Sequence, residues 1–286
     1  MEFQSPAPCG RDPRSTAADI PDSLQDMWKI QYRVVQTKYL RSLGFIALFW
    51  LVLAGQSHGA GNETFQNFAA AKKAARRYLK EFPRTFYCNC LIRDRTIDTA
   101  SCGYQPKRES ERARRIEWEH IVPAENFGRS FPEWREGHPD CVRTGGRPYK
   151  GRACARKTNP LFNRMEADLY NLVPEIGELN AERSNYQFGI IEGEERQYGQ
   201  CDFEVAGRTV EPRPEIRGDI ARIYFYMHEA YPGRGIIGDK RRRLFEAWDR
   251  EDPVDQAECQ RARWIEQIQG NPNRFVKDIC VQKGWY

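Results

Sequence analysis

Histidine is scarce in this chain, with four in 286 residues, so few side chains can serve as an imidazole base near neutral pH. Long apolar runs are missing too. The longest, "SLGFIALFWLVLAG", has about a dozen apolar residues against the roughly 18 to 20 a membrane-spanning helix needs, which argues against an anchor. A strong charge imbalance is absent: 45 Lys and Arg stand against 40 Asp and Glu, a net +5. Composition alone therefore does not reveal a polyanionic partner. Only Cys88 and Cys90 form a closely spaced cysteine pair, and no second pair or nearby histidine completes a tetrahedral zinc set. Nor is there an internal repeat.

What is present is ordinary globular material, 40% hydrophobic and 12% aromatic, enough for one large domain or two small ones. The apolar run follows Lys38 and Arg41 and exits through "QSHGA". A charged start, a short greasy middle and a small-residue exit describe a secretory signal over 37–60, with cleavage after Gly59 or Ala60. Residues 1–36 form a polar extension expected to have no fold, or they precede a translation start nearer Val34 or Val35. Removing Cys9 with the leader leaves Cys88, Cys90, Cys102, Cys141, Cys154, Cys201, Cys259 and Cys280. An even set in an exported chain points to four disulfides, whose connectivity spacing cannot give, with Cys88 and Cys90 expected to take separate partners.

In the mature part, 61–286, the pattern predicts one α+β domain. Phe65, Phe68, Ala75, Tyr78 and Phe82 recur at helical steps from a cap at Asn62 to Pro83. "RTFYCNCLI" reads as a strand. So does "RIEWEHIVPA", where Ile116, Trp118, His120 and Val122 alternate with the other parity. An irregular region over 128–160 suggests a functional loop or one pinned by Cys141 and Cys154. Pro174 and Glu175 suit the start of a helix carrying Ile176, Leu179, Asn180 and Arg183. A strand pair near "GQCDFEVAGRTVEP" precedes helices over 214–231, 239–250 and 253–269, the last started at Asp252-Pro253 and stopped by Gly270.

Among the mature histidines, His228 lies in a helix and reads as structural, while His138 lies in a loop and reads as solvated. His120 ends a strand beside Glu119 and is the best candidate base. The pairing of "WEHIVPAENFGR" with "MEADLYNLVPEIGELNAERSN" resembles the bacterial endonuclease I family, periplasmic and secreted nucleases of the ββα-metal (His-Me finger) superfamily. The resemblance extends through "FYCNC", "SCGYQ", "YGQCDFEV", "RGDIARIYFYM", "AWDREDPV" and "IQGNPNRFV". It implies a ββα-metal core, built from the 114–124 strand and the 175–184 helix, within a mostly helical, disulfide-braced body.

The function implied is hydrolysis of double- and single-stranded DNA, and of RNA, with little sequence preference, by a monomer acting in the periplasm or outside the cell and leaving 5′-phosphate ends. His120 would be the general base, Glu119 and Asn180 the ligands of one Mg2+ ion, with Ca2+ or Mn2+ as substitutes in binding. Asn171 would brace the finger, and Glu166 matches a family active-site carboxylate. A phosphate-clamping arginine is expected in the loop before a cysteine; Arg152 fits best, with Arg147 and Arg135 as alternatives. These residue types suit the chemistry, since a cation offsets charge growing on the leaving side while a base works opposite. Neighbours in an ideal strand point to opposite faces, so Glu119 and His120 can serve one phosphate only where the strand ends or bends. Lys107, Arg108, Arg112, Arg114 and Arg115 could track a sugar-phosphate chain. Two rivals are an exported polyanion binder without catalysis and a glycosidase with Glu119 and Glu166 flanking a sugar cleft.

Overall fold

The computed structural model describes residues 61–286; the extension and leader read over 1–60 lie outside them. Helix α1 spans Phe68–Tyr78, capped by the Asn67 side chain on the Ala70 N–H. It is shorter than the pattern predicted. Asn62 is buried and caps nothing, exchanging hydrogen bonds with Phe65 and giving its amide to the Arg164 carbonyl. "RTFYCNCLI" is also not one strand. Asn89 takes φ 57°, Thr85 N–H donates to Cys90 O and Arg84 bridges Leu91, so the segment folds back on itself before β1 (Leu91–Arg93) pairs with β2 (Thr96–Asp98).

Strand β3 (Ile116–His120) forms as its alternation predicted. Its partner was not foreseen. Residues Leu172–Ile176 form β4, antiparallel to β3 from Ile116↔Ile176 to His120↔Leu172, so Pro174 sits in a strand rather than opening a helix. A two-stranded ladder has an edge on each side, which tolerates a residue without an N–H. The helix, here α2 (Gly177–Arg183), begins three residues later. A Cβ at Gly177 would stand 2.7 Å from the Arg112 carbonyl oxygen, so glycine lets the helix start press against the loop that feeds β3.

The expected irregular region contains short helices at Pro132–Arg135 and at Arg152–Thr158, the latter labelled α3, followed by α4 (Pro160–Glu166). The Cys141–Cys154 bridge pins it. Further on, β6 (Phe203–Ala206) and β7 (Thr209–Pro212) form the anticipated antiparallel pair, joined in parallel by β5 (Gln187–Phe188). Beyond them come α5 (Arg217–Ala230), α6 (Asp239–Glu251), α7 (Gln256–Gln269) and α8 (Arg274–Gln282). Ile216, just before α5, and Ile220, Ile223, Tyr224 and Met227 on it are buried. Helix α7 is capped by Asp255, not started at Asp252-Pro253, and ends at Gly270 with φ 92°. Cys259–Cys280 fastens α8 to α7, and Cys88–Cys201 and Cys90–Cys102 complete the four bridges, with Cys88 and Cys90 going to separate partners. This is a mixed helix and small-sheet fold.

Candidate active site

Strand β3 ends at His120, and both terminal residues border one cleft of about 1430 Å³. They reach it from opposite faces of the ribbon, as the pleat requires. Glu119 turns to the α2 side, where its Oε1 accepts the Tyr87 hydroxyl at 2.9 Å and lies 3.4 Å from Arg183 Nε. His120 turns to the α1 side, where its ring centroid lies 4.9 Å from that of Phe68. The strand can stop there because Asn171 captures the departing chain. Its Oδ1 accepts the Val122 N–H at 2.7 Å, its Nδ2 donates to the Val122 carbonyl at 2.9 Å, and its own carbonyl accepts Ile121 N–H at 3.1 Å.

His120 Nε2 lies 2.9 Å from the Glu166 carbonyl oxygen. A carbonyl only accepts, so Nε2 carries the proton and Nδ1 keeps the lone pair. Burial, aided by nearby Arg152 and opposed by that carbonyl, pushes the imidazole down to about 4. It is neutral at physiological pH. Burial pushes Glu119 up to about 7, against the pull of Arg183 and the Tyr87 hydrogen bond. Glu166 is itself buried, yet the Arg156 and Arg152 guanidinium groups outweigh burial and hold its carboxyl below the ordinary range. Its side chain pairs with both, Arg156 at 2.5 Å, and does not border the cleft. It therefore does not flank a sugar-sized space with Glu119.

Asn180 lies on α2, lines the cleft, and donates Nδ2 to Glu117 Oε2 at 3.1 Å. Glu117 is held in turn by Arg112 and Arg115. Glu119 and Asn180 thus bring a carboxylate and an amide to the same wall, hard oxygen donors of the kind that suit magnesium or calcium. Of the three arginine candidates only Arg152 lines the cleft. Arg147 is an exposed loop residue, and Arg135 donates to the Arg129 carbonyl. In the basic segment before β3, Arg112 and Arg115 border the cleft, while Lys107 and Arg114 turn to Glu182 and Glu109. Arg108 lies outside the cleft lining. His138 is exposed beside Asp140, and His228 is half-buried on α5.

Some wall residues carried no readable functional signal. Phe68, expected as core, is the apolar floor beneath His120, with Lys72, Arg152 and Arg156 arrayed over its ring. Lys72, Arg76, Arg77 and Lys80 line the cleft from α1 and the turn after it. Lys72, Arg76 and Lys80 stand four residues apart, on the side away from buried Ala71 and Ala75, but only the fold turns that side toward His120. Among the described residues, Glu194, Asp202 and Glu204 bring ligand atoms within 4.8 Å of one another. Arg196 Nη1 already occupies their midst, 2.9 Å from Glu204 and 3.5 Å from Glu194.

The Endonuclease I family profile matches residues 86–280. An extracellular deoxyribonuclease of Aeromonas hydrophila is 43% identical over 222 residues, 75% of this chain and 91% of the relative. A periplasmic deoxyribonuclease of the same species is 41% identical over 222 residues, 75% of this chain and 87% of the relative. Endonuclease-1 of Buchnera aphidicola is 38% identical over 228 residues, covering 77% and 84%. The matched span holds β3, β4 and α2 with every residue of the cleft wall they carry, and so the chain belongs to the endonuclease I family.

Proposed function

We propose that this protein is a metal-dependent DNA endonuclease of the periplasm or the extracellular medium, with His120 as general base and β3, β4 and α2 as its ββα-metal core. The observation that carries the reading is the His120 tautomer. An imidazole fixed through Nε2 to a carbonyl, neutral at pH 7 and bordering the cleft, keeps an Nδ1 lone pair suited to take a proton from water. Glu119 and Asn180 are the residues that would hold the divalent cation, magnesium by preference. When bound, the ion supplies charge neutralisation at a phosphoryl oxygen and the leaving 3′ oxygen. Arg152, half-exposed at the start of α3, clamps the phosphate through its guanidinium fork. Glu166 is a positioning residue, steering Arg152 with its carboxylate and His120 with its carbonyl. The cationic face of α1 contacts the sugar-phosphate chain, which carries no sequence information, so cutting is unspecific and extends to single strands and RNA. The working form is a monomer, processed to start near residue 61, that leaves 5′-phosphate ends.

The test is digestion of supercoiled plasmid by the mature chain with Mg2+ or with EDTA, alongside His120→Ala and Glu119→Ala. Nicking by the unaltered chain in Mg2+ is expected, with a loss of at least about a hundredfold in His120→Ala from the scale of general-base contributions and a comparable loss in Glu119→Ala and in EDTA from removal of the cation's charge neutralisation. Undiminished digestion by His120→Ala would remove the assigned base, and undiminished digestion in EDTA would remove the cation. A binder without catalysis would retain plasmid and leave it intact.

A further inference from the structure

The "FYCNC" segment lies outside the mechanism above, yet its tyrosine reaches the cleft wall. We propose that the Tyr87 hydroxyl is the positioning group that fixes the Glu119 carboxylate for cation binding, a role that rests on the metal reading above. Tyr87 is fully buried and donates to Glu119 Oε1 at 2.9 Å. Arg183 Nε approaches the same oxygen at 3.4 Å. The phenol is the hydrogen-bond donor on Oε1 and the Arg183 cation stands beside it as an ion pair, so this oxygen of the carboxylate is held on the protein side of the cleft.

The phenol is suited to this because nothing about it can move freely. Its backbone N–H donates to buried Glu175 Oε2 at 2.6 Å, and its carbonyl accepts Arg213 Nε at 3.0 Å. Its ring lies 4.7 Å from that of Phe203 and 5.6 Å from that of Phe86. The next residue, Cys88, is bridged to Cys201 across 113 positions of sequence. Glu175 belongs to β4 and Glu119 to β3, so one tyrosine ties a cation ligand to both strands. Groups that orient metal ligands by hydrogen bonds in this way are commonly worth about 10–100-fold in metal affinity. A hydroxyl that merely satisfied buried polarity would affect stability and leave cation affinity alone.

The distinguishing experiment is calorimetric titration of Mn2+ into the metal-free mature chain without nucleic acid, for the unaltered protein, Tyr87→Phe and Glu119→Gln. Phenylalanine keeps the ring and its packing, and cooperative unfolding in EDTA verifies that the variant is folded. Tyr87→Phe is expected to bind Mn2+ about 10–100-fold more weakly. The Mn2+ concentration for half-maximal cleavage should rise by the same factor, with kcat restored at saturating ion. Glu119→Gln is expected to lose binding. Unchanged Mn2+ affinity in Tyr87→Phe beside weakened affinity in Glu119→Gln would overturn the positioning role alone. Unchanged affinity in both would overturn the metal reading, and the positioning role with it.

Discussion

Asn171 shows how one side chain can be read in sequence and understood only in space. Its motif suggested a brace; the structure shows the amide taking both polar backbone groups of Val122 where β3 stops. Asn171→Ala leaves a buried donor and acceptor unpaired, at about 1–3 kcal/mol each. A fall of roughly that size in unfolding free energy, with activity lost at temperatures where the chain remains folded, is expected from denaturant titration paired with plasmid assays. Glu175 gives a prediction in pH. Burial pushes its carboxyl up to about 8, although Tyr87 and Ile176 N–H groups favour the anion. The unfolded chain sheds this proton near the ordinary 4.5, so between the two values the folded state binds more protons. The stability contributed is full below 4.5 and lost as pH rises through 8. In EDTA the unaltered chain should therefore lose melting temperature between about pH 5 and 8.5, and Glu175→Gln should lose less. Parallel curves would refute the assignment.

At the scale of elements, β3 was legible because its alternation survives in the fold, one parity turned to α1 and the other to α2. Its partner β4 was not. All five of its residues are buried, so no polar parity marks a strand, and Pro174-Glu175 imitates a helix start. The true start is set by close approach at Gly177, which no pattern of apolar residues encodes. The short helices between 128 and 160 escaped for a related reason: at four to seven residues, Pro132–Arg135 and α3 are too brief for a helical period to accumulate. Helix α1 was legible as a helix and illegible as a wall, because Lys72, Arg76 and Lys80 acquire meaning only when β3 ends beside them. If they follow a phosphate chain, replacing all three with alanine should flatten the dependence of log affinity on log salt by about 2 to 3 for duplex DNA bound to His120→Ala. An unchanged slope would return them to ordinary solvated charges.

For the molecule as a whole, the even cysteine count correctly indicated four bridges, and the fold shows what each one holds. Cys88–Cys201 closes a separation of 113 residues beside Tyr87, and Cys141–Cys154 closes 13 at the helix that carries Arg152. Loop-closure entropy predicts about 4–5 kcal/mol for the first and about 3 kcal/mol for the second. Paired serine variants should reproduce that order in denaturant unfolding, with the second losing phosphate affinity disproportionately through a loosened Arg152. The Cys88–Cys201 closure could not be placed from sequence because it joins segments 113 residues apart, and the Glu166 pairing with Arg152 and Arg156 because it depends on how two short neighbouring helices fold against each other.

The most direct test of the central claim is chemical rescue at residue 120. His120→Gly removes the imidazole and leaves the Glu166 carbonyl facing a space that free imidazole can enter. With Mg2+ present, the variant should cut DNA at a small fraction of the normal rate and recover in proportion to added imidazole, while His120→Gly combined with Glu119→Gln should not recover. Cleavage by His120→Gly at the full rate without imidazole would contradict the account.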